Sequence, residues 1–398
     1  MAARRAIIVD VLRSPFARAN PSGSFSNWHP VDLYAGVIAS IVARNDLDPR
    51  LIEDVISGCV IQVAEQSGNI GRQATLSAGL PETVPAVTLD RKCGSAQQAV
   101  DFAAQGIIAG AYDVVLAGGV EMMSRVPMKA NRMGKDNLGA GHNQRYPDGL
   151  VGQGVAAELI AAKWGISREH QDEFALRSHR LAAAAVDDRS VLRDILPIET
   201  GDECDKKLTT DEGLRRDTSL EKLAALKPAF EDAELKARFP EIRWSVTAGN
   251  ASQVSDGACA VLLAEEQTAL RLGLSARASV EAFAVLGDDP LLMLTGIIPA
   301  TEKALKKASV KIQDIDAFEV NEAFASVVIA WQRYFGLELD KINCQGGAIA
   351  LGHPVGASGG RLLGNLLRVL EQKNGHLGLQ TMCESGGMAN ATIFRRLS

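Results

Sequence analysis

Two stretches of this chain lay out the same parts in the same order, and that repetition limits the folds open to it. Cys93 is followed by a helix-forming stretch, Ser95–Ile108, then Gly110, a β-like run Asp113–Ala117, and Gly118-Gly119. His353 is followed by the helical stretch Ser358–Leu370, Gly375, the apolar run Leu377–Met382, and Gly386-Gly387. A recurring order of elements marks a duplicated unit, even where few residues are identical between the copies. The flanking sequence alternates in the same way. Ala6–Val11, Val55–Val63 and Val84–Leu89 read as strands, and Val31–Arg44 and Ile70–Ala78 as helices. After about residue 245 the rhythm resumes, with strands at Ala258–Leu263, Ser279–Val285 and Ile315–Glu319 and helices near Thr301–Ala308 and Glu322–Tyr334. Such alternation predicts an α/β layer architecture around a mostly parallel sheet. Residues 121–244, rich in Met, Gly, Asn and charge, break the rhythm and read as a helical and loop insert. The division expected is residues 1–120 for the first half, 121–250 for the insert and 251–398 for the second half.

A chain of 398 residues is long enough for two or three such units. With 46% hydrophobic and 23% charged residues it has the composition of a globular protein, and no apolar run reaches the length of a membrane span. The net charge of −6 argues against a general nucleic-acid surface. A polyanionic ligand would have to meet a local basic patch, for which Lys206, Lys207, Arg215, Arg216, Lys222 and Lys227 are candidates, although single members more often lie on a solvated face. The start, MAARRAIIVDVLRSP, lacks the apolar core and cleavage site of a secretory signal. The cysteines at 59, 93, 204, 259, 344 and 383 form neither a CxxC pair nor a disulfide framework. The compartment expected is a reducing cytoplasm.

The residues able to do chemistry stand at the junctions of these elements. Asn343 to Arg361 reads NCQGGAIALGHPVGASGGR, with six glycines among nineteen residues around His353. Glycine permits close backbone approach, and Pro354 biases His353 toward extended backbone. By itself such a histidine is more often a bystander than a catalyst. Cys93 precedes a helix, whose positive dipole end favours a thiolate; a buried, inert thiol is an equal alternative. Cys383 ends an apolar run before a Gly-Gly turn, where α/β folds place their sites. Asn321 and Glu322 follow another apolar run, although an Asn there is often only a helix cap. If the halves pair around one sheet, Cys93, Asn321, His353 and Cys383 can face one crevice. Cysteine and histidine would supply nucleophile and base, and a second cysteine an acid. The glycine-rich turns would direct backbone N–H groups at an oxyanion. A metal site is a weak rival, because the possible ligands are single and widely spaced.

CGSAQQAV after a strand, VTAGNASQVSDGA, VNEAFA, the glycine-rich stretch through GHP, and CESGGMAN come in an order and spacing that resemble the thiolase family over essentially the whole chain. The resemblance implies a duplicated five-layer αβαβα fold with an inserted loop domain. It implies that Cys93 is the nucleophile that becomes acylated, and that His353 activates it and helps bind a thioester oxygen. Cys383 would be the acid/base toward acetyl-CoA. Asn321 would hold a water in the first oxyanion hole, with His353 beside it, and the backbone N–H groups of Cys93 and Ser385 would form the second. The family usually has Gly at the position of Ser385. Ser252, Ala248, Phe230 and Arg215 match positions along the CoA path, and Phe324 and Met293 match positions near the acyl end. Short-chain members typically carry His and Met where this chain has Gly152-Gln153, so the resemblance leaves room for a longer or bulkier acyl group beside Gln153. The spacer between Phe230 and Ser245 is longer than usual. The reaction implied is reversible thiolysis of a 3-ketoacyl-CoA, with CoA as co-substrate, no cofactor, no metal and a homodimeric or homotetrameric assembly. The alternatives are a biosynthetic, acetoacetyl-CoA-forming thiolase, a ketoacyl synthase-type condensing enzyme, and a non-catalytic subunit that binds CoA or lipid.

Overall fold

The computed structural model describes residues 4–200 and 207–397, so Cys204 and Lys206 lie outside the described residues. In chain order the strands are β1 (Ala6–Arg13), β2 (Ala17–Arg18), β3 (Asp54–Gly58), β4 (Ala86–Leu89), β5 (Val114–Met122), β6 (Ile198–Glu199), β7 (Lys207–Leu208), β8 (Ser255–Glu265), β9 (Ala278–Gly287), β10 (Ala317–Val320), β11 (Leu377–Glu384) and β12 (Met388–Arg396). Ten of them form one sheet in the order β10-β11-β12-β9-β1-β8-β5-β3-β4, with β2 beside β8; β6 and β7 pair separately. β1, β5, β8 and β11 are buried along their whole length, as strands covered on both faces must be. The two halves of the sheet meet where β1 touches β9, through Ile7 opposite Ser279 and Ile8 opposite Ala278.

Helices complete five layers. Pro30–Arg44 and Ile70–Ser77 pack against one another and cover the outer face of the β3, β4, β5 and β8 half. Ile297–Ala308 covers β9 and β12 on the other outer face. Between the half-sheets lie Ser95–Ala109 and Ser358–Lys373, which pack on each other and on strands of both halves. These are the helices that follow Cys93 and His353, so the repetition in the sequence corresponds to the central helical layer. Their contact with both half-sheets brings the two distant motifs together. Among the described residues no helix is long and apolar enough to cross a membrane.

Several expectations need correction. The sheet is mixed rather than mostly parallel. Among the strands of the described residues, parallel pairing is confined to β3 with β4 and β5 and to β10 with β11. β12 follows β11 through a tight turn, which requires antiparallel pairing, and β8 enters from the insert antiparallel to both β5 and β1. β8 therefore stands among strands of the first half, although it follows residue 250 in the chain. The strand expected at Val55–Val63 stops at Gly58, because the N–H groups of Val60 and Ile61 turn to the buried Glu121 carboxylate instead of a ladder (2.8 and 3.2 Å). The two Gly-Gly pairs are not equivalent. Gly386-Gly387 forms the β11–β12 turn at φ of +91° and +74°, whereas Gly118-Gly119 lies inside β5. A Cβ at Gly119 would stand 2.2 Å from the Gly356 carbonyl oxygen and 2.5 Å from that of Gly58, so glycine there admits the loop after His353.

Candidate active site

Cys93 lies in a tight turn between β4 and the helix Ser95–Ala109. Lys92 takes a left-handed φ of +48°, and the Ser95 hydroxyl accepts from Arg91 N–H and donates to the Lys92 carbonyl (2.9 and 2.6 Å). The thiol is buried among Val60, Ile61, Met123, Val355 and Met382, which brings the nucleophile turn against the His353 loop and the end of β11. Asn321 follows β10, and its N–H donates to the Thr381 carbonyl (3.0 Å), beside the part of β11 that carries Cys383. Its side-chain Nδ2 lies 3.4 Å from His353 Nε2. The segment Ala251–Gln253 ties these loops together. Ser252 N–H donates to Ala323 O, and His353 N–H donates to Gln253 O, each at 2.9 Å. Cys93, Asn321, His353 and Cys383 thus converge on one buried site. One junction differs from expectation, because a helical turn, Ala348–Leu351, and not a strand precedes His353.

The hydrogen bonds of His353 assign its tautomer. Asn321 Nδ2 can only donate, so its contact with His353 Nε2 makes Nε2 the acceptor and places the ring proton on Nδ1. Ser358 Oγ then accepts from His353 Nδ1–H at 2.6 Å and turns its own proton to the Pro354 carbonyl (2.9 Å). Nε2 is left as the unprotonated nitrogen, the atom that faces Asn321 and can take a proton. Burial, with the Arg361 charge adding to it, drives His353 down to about 3, so the imidazole is neutral at physiological pH. Asn321 Oδ1 is buried with no hydrogen-bond partner among the described residues and can accept a further hydrogen bond.

Burial opposes the thiolate that the helix dipole would favour at Cys93. Burial, with the Glu384 carboxylate adding, raises the thiol from 9.0 to about 12, against the lowering effects of its own backbone N–H, a hydrogen bond from the Gln153 side chain, and Lys92. That rise is worth roughly 4 kcal/mol against the anion, while a helix N-terminus supplies about 0.3–1 kcal/mol and at most ~2. Cys383 is raised well above the usual thiol range by burial, then by Cys93 and Glu384. The resting site therefore holds two neutral thiols and a neutral imidazole.

The wall beside Cys93 begins at Gln153, the first residue of the helix Gln153–Lys163. A Cβ on Gly154 would lie 2.4 Å from atoms of the Phe230 ring, so that ring rests flat on Gly154, and it meets Phe324 edge-on at 6.1 Å. Met293 is buried in the same apolar cluster as Cys383, in a tight turn with φ of +54°. The long spacer after Phe230 contains the short helix Ala233–Arg238, whose Arg238 guanidinium donates to Gly149 O (2.7 Å), and it buries Phe239 and Ile242. Its extra residues brace the approach to Gln153. Ser385 keeps a negative φ, and the left-handed positions fall on the two glycines after it. Replacing the family's Gly by Ser therefore introduces no backbone strain there.

The remaining expected contacts are more dispersed. Ala248 is exposed and Ser252 half-buried. Arg215 is exposed and, with Arg180, His179 and Arg216, frames a separate pocket of about 250 Å³ on the helix Arg168–Asp187. The expected basic patch is partly neutralised, because Lys207, Arg216 and Lys222 pair with Glu199, Asp187 and Asp217. Among the described residues no group of three or more His, Cys, Asp or Glu side chains is placed to hold a metal. Sequence reasoning named Glu322 only as a neighbour of Asn321. It is a clamp for the glycine-rich stretch, accepting from Ser178 Oγ, Asn343 Nδ2 and Ile349 N–H (2.7, 2.9 and 3.2 Å). Ser358 and Glu384 were not singled out at all; Ser358, five residues after His353, was within reach of a helix-start argument.

Residues 6–267 match the thiolase N-terminal domain and residues 274–396 the thiolase C-terminal domain, and the chain belongs to the thiolase family. It is 43% identical to a steroid 3-ketoacyl-CoA thiolase of Mycobacterium tuberculosis over 98% of this chain and 94% of that protein. It is 42% identical to a 3-ketoacyl-CoA thiolase of Shewanella sp. strain ANA-3 over 99% of this chain and all of that one. Among solved structures, the Bacillus anthracis acetyl-CoA acetyltransferase and human mitochondrial 3-ketoacyl-CoA thiolase each superpose over all of both chains. Each has a TM-score of 0.88, with 35% and 32% identity respectively.

Proposed function

We propose that this protein is an acyltransferase that cleaves a 3-ketoacyl-CoA with free CoA, releasing acetyl-CoA and a shortened acyl-CoA, in the degradative direction. The observation that carries the reading is the pairing of two buried thiols, Cys93 and Cys383, in the crevice whose loops hold Asn321 and the His353 imidazole, with Nε2 turned toward Asn321. His353 Nε2 takes the proton of Cys93, and the sulfur attacks the C3 carbonyl of the substrate. The C2–C3 bond then breaks, its electron pair passing to the acetyl-CoA enolate, which Cys383 protonates. The acyl group remains on Cys93 as a thioester. Incoming CoA gives its thiol proton to the deprotonated Cys383 and attacks that thioester, so Cys93 leaves and regains its proton from His353. The enolate is the costly species, and each donor in an oxyanion hole contributes roughly 3 kcal/mol. We assign that task to a water held by the free Oδ1 of Asn321, with His353 beside it, and to the N–H groups of Cys93 and Ser385.

CoA is a co-substrate in this scheme and no cofactor is required. The relatives named for 3-ketoacyl-CoA and steroid 3-ketoacyl-CoA substrates, together with Gln153 beside Cys93, favour an acyl group larger than acetyl. We assign the protein to the cytoplasm as a homodimer or homotetramer. The edge strand β4 and its adjoining helix expose Val87, Phe102 and Ile108, an apolar border suited to a second copy; light scattering reads the assembly. The test of the activity is loss of 3-ketoacyl-CoA absorbance on adding CoA. Cys93→Ala is expected to abolish both turnover and acyl labelling, and thiolysis by that variant sinks the assignment. Cys383→Ser is expected to keep acylation of Cys93 while losing about 10²–10⁴-fold in turnover.

A further inference from the structure

The mechanism gives no task to the buried acid beside the nucleophile, Glu384. Glu384 is the last residue of β11, and side chains alternate across a strand, so its carboxyl shares a face with Met382 and lies opposite Cys383. The end of β11 lies against the turn that carries Cys93, which shares an apolar cluster with Met382 and also acts on Cys383. Glu384 is 0% exposed, and among the described residues neither of its oxygens has a hydrogen-bond partner. A Cβ on Gly94 would stand 2.1 Å from its Oε1 and 2.7 Å from Asn390 Nδ2. The carboxyl therefore occupies the side-chain space of the residue that follows Cys93. Asn390 Nδ2 donates to the Gly94 carbonyl (3.2 Å) and makes no hydrogen bond to the carboxyl. The charged groups facing Glu384 are Arg91 and Asp90 in the turn before the helix Ser95–Ala109 and Asp101 within it, and Lys92 acts on Cys93 from the same turn.

We propose that Glu384 is a positioning residue for the nucleophile, which as the neutral acid lets Cys93 ionise and as the carboxylate holds Cys93 in its thiol form. This rests on the reading of Cys93 as the acylated residue. Two acids in one buried site titrate as a pair, each anion opposing the other. Burial raises Glu384 to about 8, with Asp101 and Asp90 adding and Arg91 opposing, so its charge appears at mildly alkaline pH. The reactivity of Cys93 should then climb less steeply above that pH than an isolated thiol would.

The test compares the full-length wild type with Glu384→Gln between pH 6.5 and 9.5. Alkylation of Cys93 by iodoacetamide and its acylation by acetyl-CoA are both read on the Cys93 peptide by mass spectrometry. The ratio of variant to wild-type alkylation rate is expected to grow about three- to tenfold across this range, the effect of a half to one pH unit in thiol ionisation. Glu384→Met, uncharged and of similar length, should give the same trend and serves if the Gln variant fails to fold. A ratio independent of pH, with Cys93 acylated normally, overturns the proposal alone. A wild-type Cys93 that alkylates yet takes no acyl group from acetyl-CoA overturns the nucleophile assignment, and this proposal with it.

Discussion

A neutral imidazole can serve as base only through the nitrogen that lacks a proton, and here two side chains decide which one that is. Asn321 Nδ2 donates to Nε2, and Ser358 accepts from His353 Nδ1–H while turning its own proton to the Pro354 carbonyl. Ser358→Ala removes the second of these contacts. The hydrogen bond is worth about 0.5–1.5 kcal/mol, so kcat/KM should fall roughly 3–10-fold. Steady-state kinetics beside a melting curve check this, and an unchanged kcat/KM would show that Ser358 does not help set the tautomer. At this scale the sequence was informative about identity and silent about state. Cys93, Asn321, His353 and Cys383 were legible because each stands beside turn-forming neighbours at an element end. The protonation of the two thiols was not legible, because desolvation depends on what packs around a group and not on which residues adjoin it.

Among the elements, the glycine-rich stretch Asn343–Leu351 keeps its shape through one carboxylate supplied from outside it. Glu322 satisfies Ser178, Asn343 and the N–H of Ile349. This is also why the helix expected from Glu322 begins only at Ala325. Glu322→Ala removes three charge-assisted hydrogen bonds; Ser178 Oγ keeps the Gly347 N–H and Asn343 Nδ2 keeps the Val320 carbonyl, but Ile349 N–H loses its acceptor, and unfolding by urea should register a loss of about 3 kcal/mol. A loss below ~1 kcal/mol would mean the clamp is dispensable. Gly119→Ala tests the contact between β5 and the loop after His353. The added methyl meets backbone oxygens on both sides, Gly356 O and Gly58 O, so no side chain can swing away. A destabilisation of about 1–3 kcal/mol and a displaced His353 loop are expected, and wild-type stability with full activity would contradict that packing. Strands and helices were legible from their periodicity to within a few residues. Their pairing sense was not, because alternation alone does not distinguish a crossover helix from a hairpin or an insert.

For the whole molecule, the cost of burying acids beside the site makes stability depend on pH. Glu384 is held at about 8 in the folded protein, above the usual carboxylate value of 4.5. A raised folded value means that its contribution is fully present below about pH 4.5 and is lost as pH rises toward 8. Glu384→Gln cannot lose it. The difference in unfolding free energy, variant minus wild type, should therefore increase between pH 5 and 8.5 by about 1–4 kcal/mol. Denaturant titrations at several pH values measure it, and a constant difference would show that Glu384 is ionised throughout. Glu319, also raised to about 8, and Glu121 and Asp101, raised to about 7, slope in the same direction. His353 and His179, lowered to about 3 and 4, slope the opposite way, their contribution being lost as pH falls below 6.5.

The repeated order of parts after Cys93 and His353 was enough to call for two α/β halves, and the residues at the element ends were enough to suggest a nucleophile and a base; acyl transfer came from the resemblance of the motifs to the thiolase family. The first two follow from local chemistry, in which turn formers, helical periodicity and nucleophile type are properties of short segments. Tertiary structure alone decided that the two repeated helices share one central layer, that the sheet is mixed, and that Gln153 reaches Cys93 from the insert. It alone placed Glu384 in the space beside Gly94. Those outcomes depend on groups hundreds of residues apart excluding water from one another, and that exclusion sets which protons the site holds.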